Sequence, residues 1–419
     1  MPFISPWRKV ICPFCFGGFH LADAPSRKIS ANVKKEPDPV LGRFLGVQVV
    51  PITFPVVPAP RGLKNFLHRF YIPTQKDRNA VVYHRICPYC HMELPIAMSN
   101  GYLKSDIIAI VGTRSSGKSN YFGVLLELLI KRYADEVGFA MMSLESYSLL
   151  QLERVSSDKL RKLRYGSLFN SDRRKAVPQT TRAELNPEIR IPLIYRLSSR
   201  RPKSFWNFFH RPRVIDLVIF DAAGEDVEED VSFELFGRYV NHASGILFLI
   251  DPFSYSAFRN RLPDELRERI NEQQRLLTGV KADPTDAIEA ALRTMQQLQG
   301  HRPDKKHSIP AAVVLTKIDM LKGLVDSSIT SDVLHDGGYN EEQCGVISNE
   351  IRDLLRDLQA GQLESIMNTH FEDYAFFGVS ALGSLPEKDF SIGQIRPINV
   401  GNPLFWILYR LGFLDPVEE

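Results

Sequence analysis

Apolar and polar positions come in blocks along the last three-quarters of the chain, and the period changes from block to block. Short, almost uninterrupted apolar runs stand at 107–112 (IIAIVG), 214–221 (VIDLVIFD), 245–251 (GILFLID), 309–319 (IPAAVVLTKID) and 374–380 (YAFFGVS). Runs of this length predict strands buried on both faces, as in a parallel sheet. IRIPLIYRL (189–197), joined to VIDLVIFD by a long basic and aromatic segment, predicts another strand, and 139–143 one more. Between these runs, SNYFGVLLELLIKRYADE and parts of 263–300 and 341–358 carry apolar residues at helical spacing. NPLFWILYRLGFL predicts a closing amphipathic helix, and the basic stretch 144–187 is expected to be helical in part. The interval 252–308 is longer than a crossover needs and predicts a helical insertion. Strands alternating with helices define an α/β fold with a mostly parallel sheet.

The first hundred residues read differently. They are rich in proline and begin and end with a Cys-x-x-Cys pair, CPFC at 12–15 and CPYC at 87–90. This divides the chain into a module at 1–103 and an α/β domain at 104–419, the latter with an insertion at about 253–308 and a C-terminal helix. The longest apolar run, 46–57, is too short to span a bilayer and holds Pro51 and Pro55. The N-terminus lacks the apolar core of a signal peptide. With five cysteines, four of them closely paired, the expected location is the reducing cytoplasm. A net charge of +3, from 52 basic and 49 acidic residues, demands neither nucleic acid nor an anionic membrane.

Candidate chemistry begins at the end of the first strand. GTRSSGKS, 112–119, matches G-x-x-x-x-G-K-[ST] between a strand and a helix. Gly112 and Gly117 let the backbone wrap a phosphate, Lys118 reaches its β and γ groups, and the Ser119 hydroxyl binds Mg²⁺. Ser115, Ser116 and Asn120 complete the candidate phosphate contacts. Three later motifs follow, each at a strand end. Asp221 and Gly224 of DAAG can hold Mg²⁺ through water and meet the γ-phosphate. In TKID, Asp319 can accept from guanine N1–H and its 2-amino group, a donor pair adenine lacks. There the Lys317 stem lies along the base, and Thr316 stands first. Ser380, Ala381 and Leu382 follow the last strand, where a backbone N–H can meet guanine O6. In open α/β sheets such strand ends are where ligands bind.

In this order the motifs resemble those of the Ras-like and translation-factor class of P-loop GTPases, over about 105–384. The resemblance implies GTP or GDP and Mg²⁺ as ligands. It assigns Gly112, Gly117, Lys118 and Ser119 to the phosphate loop, Asp221 and Gly224 to the second switch, Lys317 and Asp319 to guanine reading, and Ser380 and Ala381 to the last loop. Two departures stand out. Thr316 replaces the usual Asn, and Glu225 occupies the place of the water-orienting Gln. The catalytic set is then Lys118, Gly224 and Glu225, and Thr181 is favoured over Thr180 as the switch threonine on Mg²⁺.

Four thiolates at Cys12, Cys15, Cys87 and Cys90 suit tetrahedral Zn²⁺, although the spacing between the pairs exceeds that of a compact ribbon. A redox pair and unmetallated core thiols are the alternatives. A zinc ribbon followed by FDAAGED and NPLFWILYRLG looks like the bacterial double-GTPase proteins of multi-component, conflict-associated systems. That resemblance implies a switch acting through protein partners, a second GTPase among them. A non-hydrolysing GTP-binding scaffold, and a GTP-gated nucleic-acid binder using the basic aromatic stretch 196–213, remain open as alternatives.

Overall fold

The computed structural model describes residues 9–30, 32–59, 82–95, 98, 105–112, 116–148, 153–170, 173–177, 191–199, 214–220, 230–276, 285–299, 305–321 and 327–417. Seven strands form the central sheet: β1 (Ser105–Gly112), β2 (Phe139–Ser143), β3 (Leu193–Ser199), β4 (Val214–Ile219), β5 (Ala243–Ile250), β6 (Ala311–Leu315) and β7 (Tyr374–Gly378). Their spatial order is β7-β6-β5-β1-β4-β3-β2. β4, β1, β5, β6 and β7 run parallel, while β3 is antiparallel to both β4 and β2. The fold is therefore the α/β, mostly parallel arrangement expected from the unbroken apolar runs. β5 and β6 show why those runs lack alternation, since Ile246–Ile250 and Ala311–Leu315 are all fully buried.

Parallel register aligns the functional ends. Gly112 stands opposite Leu249, and Ile250, Leu315 and Gly378 form one row across β5, β6 and β7. The turns that leave these strands thus emerge side by side at one edge.

Helices cover the sheet. α1 (Lys118–Leu128) continues through a wider turn at Leu129–Tyr133, and α2 (Ser157–Tyr165) packs against it. Arg161 of α2, nearly buried, pairs with Glu127 of α1, so this basic stretch is not simply a solvated face. The hairpin Glu145–Ser148/Glu153–Ser156 ahead of α2 was not foreseen. α3 (Asp230–Asn241), α4 (Asp264–Leu276) and α5 (Asp286–Gln299) follow, with α3 and α5 packed on each other and on β1. α6 (Glu341–Asp357) lies on β7, where the Ser348 hydroxyl accepts from Phe376 N–H at 3.0 Å. The closing helix α7 (Asn402–Arg410) is less amphipathic than expected, because every residue from Asn402 to Leu408 is buried. It sits against β5 and β6, and Gly245 makes room, since a Cβ there would meet Ile407 Cγ2 at 2.6 Å.

Before the sheet, a hairpin (Lys9–Ile11/Gly18–His20) carries the first cysteine pair. A three-stranded sheet of Val56–Val57, Ser26–Ile29 and Val82–Arg85 leads to the second. Among the described residues no helix is long and apolar enough to cross a membrane.

Candidate functional site

β1 ends at Gly112 because nothing larger fits. A Cβ would lie 2.7 Å from Leu249 O of the neighbouring strand and 2.7 Å from Ser116 Oγ. Gly117 is a glycine for a different reason: its φ of +82° is left-handed, and a Cβ there would meet nothing within 4 Å. α1 starts at Lys118 with no side-chain cap, so its first amides face outward unclaimed by a capping side chain. Lys118 is nearly buried and folds back so that Nζ donates to Gly112 O at 2.7 Å. Ser119 is also nearly buried, while Ser116 is fully so, and its hydroxyl has no partner among the described residues. A buried hydroxyl left in that condition costs stability unless a ligand satisfies it. Asn120 turns away from the loop and brackets Val177, accepting from its N–H at 2.8 Å and donating to its C=O at 3.4 Å.

Ser115, Thr181, Asp221, Gly224 and Glu225 lie outside the described residues, as do 200–213. Arg196, counted with that basic stretch, is committed elsewhere. It makes a two-pronged pair with Asp216 across β3 and β4, at 2.8 and 2.9 Å. Burial pushes the Asp216 carboxyl up, and Arg196 opposes that rise.

The base-side motifs meet at the same sheet edge. Thr316 is buried. Its N–H donates to Ile250 O at 2.9 Å and its hydroxyl to the same oxygen at 3.2 Å, so it braces β6 against β5. Lys317 adopts a left-handed φ of +57°, and its Nζ lies 2.6 Å from Asp251 Oδ2. Asp251 is buried, and its other oxygen accepts from Phe253 N–H at 3.0 Å. Sequence reading passed over Asp251. The available signal was an acid at a strand end beside the TKID strand. Ile318 N–H donates to Val379 O at 3.1 Å, tying the TKID turn to the end of β7. Asp319 sits in the short turn Ile318–Leu321 and lines a cleft of about 560 Å³ with Met320 and Ser384. Ser380 exchanges backbone bonds with Ile398 at 3.0 and 2.8 Å, and its hydroxyl accepts from Gly383 N–H at 2.9 Å. Its own amide is therefore spent, while Ala381 and Leu382 follow at the rim, partly buried.

The four paired cysteines converge. Their sulfurs all lie within 4.8 Å of one another, with Cys12–Cys90 at 3.7 Å and Cys15–Cys87 at 3.6 Å. Tetrahedral zinc with bonds near 2.3 Å requires sulfur separations of about 3.8 Å. The two pairs are built alike. In each, the first Cys carbonyl accepts from the residue after the second Cys (Phe16 N–H and His91 N–H, both 3.0 Å). The first sulfur accepts from Phe14 or Tyr89 N–H at 3.4 Å, and Phe16 and His91 share a left-handed φ of 56° and 57°. Such paired knuckles direct amide hydrogens at thiolate sulfurs, and the donor set fits a soft, tetrahedral ion. The chain between the pairs is anchored to the second one. Asp38 accepts from Arg27 at 2.6 Å and lies 2.9 Å from His91 Nδ1, and Arg27 also donates to His91 O at 3.0 Å.

The first knuckle also reaches the sheet. The ring of Phe16 packs at 5.7 Å from that of Phe220, which follows β4, and at 5.1 Å from that of Tyr239 on α3. The Tyr239 hydroxyl donates to Ile108 O at 2.9 Å and accepts from Ile110 N–H at 3.0 Å, both on β1.

A strand, a glycine-bounded loop, a buried lysine and a helix start, with a lysine–aspartate turn two strands away, define a P-loop nucleotide-binding protein of the GTPase type. The family model of Double-GTPase 2 matches residues 106–368, more than half of the chain, and this protein belongs to that family. It is also 26% identical over 352 residues to SaeC of Mycolicibacterium smegmatis, whose name describes ESX-1 scaffolding and assembly. The match covers 78% of this chain and 80% of that one. Among solved structures, the Saccharomyces cerevisiae Ski7 GTPase-like domain aligns with 75% of this chain in its GTP-bound form, at 12% identity and a TM-score of 0.29. Its form with GDP and inorganic phosphate aligns at 13% identity and a TM-score of 0.27. The chain spans about half the length (51%) of those two structures, and likeness at this level bears on no residue's role.

Proposed function

We propose that this protein is a guanine-nucleotide-binding switch that hydrolyses GTP with Mg²⁺ and passes its state to protein partners. The observation that carries the reading is the common edge at which the Gly112, Thr316–Asp319 and Ser380 turns emerge, set by the aligned ends of β1, β5, β6 and β7. Lys118, the Ser116 hydroxyl and the first α1 amides would hold the phosphates. Asp319 would read the guanine edge, Lys317 would lie on its face with Asp251 fixing the ammonium, and the Ala381 amide would meet O6. Ser119, Thr181 and Asp221 would hold Mg²⁺, which supplies charge neutralisation on the phosphates. The Gly224 amide would meet the γ-phosphate, and Glu225 would orient or deprotonate the attacking water. Zinc on Cys12, Cys15, Cys87 and Cys90 would be structural, in a module spanning 1–103, and the cell compartment would be the cytoplasm.

A non-hydrolysing GTP-binding scaffold is the second reading. Glu225, in place of an orienting amide, and the name of the SaeC relative favour it. The double-GTPase resemblance points to conflict signalling, the SaeC name to assembly of a multi-protein machine, and the partners that co-purify would separate the two. Mass spectrometry of freshly purified protein should find guanine nucleotide, and single-turnover assays with Mg²⁺ should show hydrolysis that Glu225→Ala removes. Adenine nucleotide alone in the protein would overturn the guanine assignment. Equal inertness of wild type, Glu225→Gln and Glu225→Ala, with cognate partners present, would leave the scaffold.

A further inference from the structure

The cleft at Asp319 has a far wall built from chain outside the four nucleotide turns. Leu266 and Arg269 reach it from α4, and Leu385, Glu387 and Ile392 from the loop that follows β7. The two walls are tied together at the surface. Arg269 Nη2 lies 3.5 Å from both Pro386 O and Glu387 Oε2, and Lys388 Nζ lies 2.9 Å from Glu272 Oε1.

The loop is closed on itself by Glu387 N–H to Ser391 O at 2.9 Å and Phe390 N–H to Glu387 O at 3.0 Å. Its other flank meets the segment before 178. Ala176 N–H donates to Phe390 O at 2.9 Å, and Ile392 N–H to Arg174 O at 3.1 Å. The next residue, Val177, is the one bracketed by Asn120 in the first turn of α1. A continuous run of contacts therefore passes from the phosphate-side helix, around the loop, to α4, and the Asp319 cleft lies along it. Phe390 holds a left-handed φ of +65° with its ring half exposed, a conformation that bulky residues avoid.

We propose that Arg269 and the Glu387 turn form a clasp over the nucleoside half, base and ribose, of a bound guanine nucleotide. Arg269 is the positioning residue that holds the clasp shut. The proposal rests on the guanine-nucleotide reading above. Exposed ion pairs add little to global stability, so the ties can break without unfolding the domain. Their effect then falls on residence time, as most differences within one binding site do. The phosphates are held elsewhere, so entry is affected less than exit.

The test is release of tritiated GDP from the full-length protein into excess unlabelled GDP. Arg269→Glu places a carboxylate against Glu387 and should speed release about tenfold, a change worth about 1.4 kcal/mol. The charge-swapped pair Arg269→Glu with Glu387→Arg should return the rate to within about threefold of wild type, and the melting temperature of the nucleotide-free variants should match wild type. Arg269→Glu release within twofold of wild type, or a double variant as fast as the single one, overturns the clasp alone. Failure of the wild type to retain GDP at all overturns the guanine-nucleotide reading and the clasp with it.

Discussion

Tyr239→Phe removes one oxygen from the interior, and its cost can be worked out from the sheet. β4 pairs with β1 through Asp216–Ser105, Leu217–Asp106 and Val218–Ile107, and the pairing stops there. Two residues further on, Phe220 would stand opposite Ala109 and would bond Ile108 O and Ile110 N–H. Phe220 has left the ladder, and the Tyr239 hydroxyl does both jobs, at 2.9 and 3.0 Å. Ile108 and Ile110 are 1% and 3% exposed, so water cannot replace it. The variant leaves one buried acceptor and one buried donor unpaired, each worth about 1–3 kcal/mol, which sums to about 2–6 kcal/mol, with relaxation favouring the lower part of that range. Tyr121→Phe is the internal control. It loses a single bond, to Val400 O at 3.0 Å, and should cost about half as much. Urea unfolding, followed by circular dichroism and by fluorescence, measures both. If Tyr239→Phe costs less than about 0.5 kcal/mol, or no more than the control, then β4 re-pairs with β1 and the hydroxyl is not the substitute described.

Two further outcomes are expected. Asp319→Asn should weaken GTP binding by about a hundredfold or more, from the loss of two charge-assisted bonds, and turn the preference to xanthosine nucleotides, whose 2-carbonyl meets an amide donor. Competition titration reads this, and an unchanged GTP preference would refute the base assignment. Elemental analysis should find about one zinc per chain, and Cys15→Ser should lower both that content and the melting temperature, because structural zinc contributes directly to folding. Retention of full stability after chelation would show that the thiols pack without metal.

What was legible in the sequence was whatever depends on local order. The strand runs ending in Gly112, Asp251 and Ser380 announced themselves because burial on both faces removes alternation. The phosphate loop did so because its glycines answer to backbone geometry within a few residues. Convergence of Cys12, Cys15, Cys87 and Cys90 was legible as well, since each knuckle is a local turn, although the wide gap between pairs argued against a compact ribbon. The structure fills that gap with Arg27 and Asp38, which fasten the intervening chain to His91.

The rest depends on contacts between distant segments, which leave no periodic trace. Phe16, Phe220 and Tyr239 looked like separate aromatics, one in a cysteine loop, one ending a strand and one on a helix. Their rings meet within 6 Å only because β4 leaves the sheet just before Asp221. That departure has a chemical consequence for the nucleotide edge. Phe220 is held by a ring of the first cysteine knuckle and a ring of α3, rather than by the sheet ladder. A packing contact can shift by rotation of side chains, whereas a ladder bond in a buried sheet cannot be given up without leaving donors unpaired. Phe220, at the end of β4, is therefore coupled to the first cysteine knuckle through three rings, and a loosened knuckle would be felt first at that strand end.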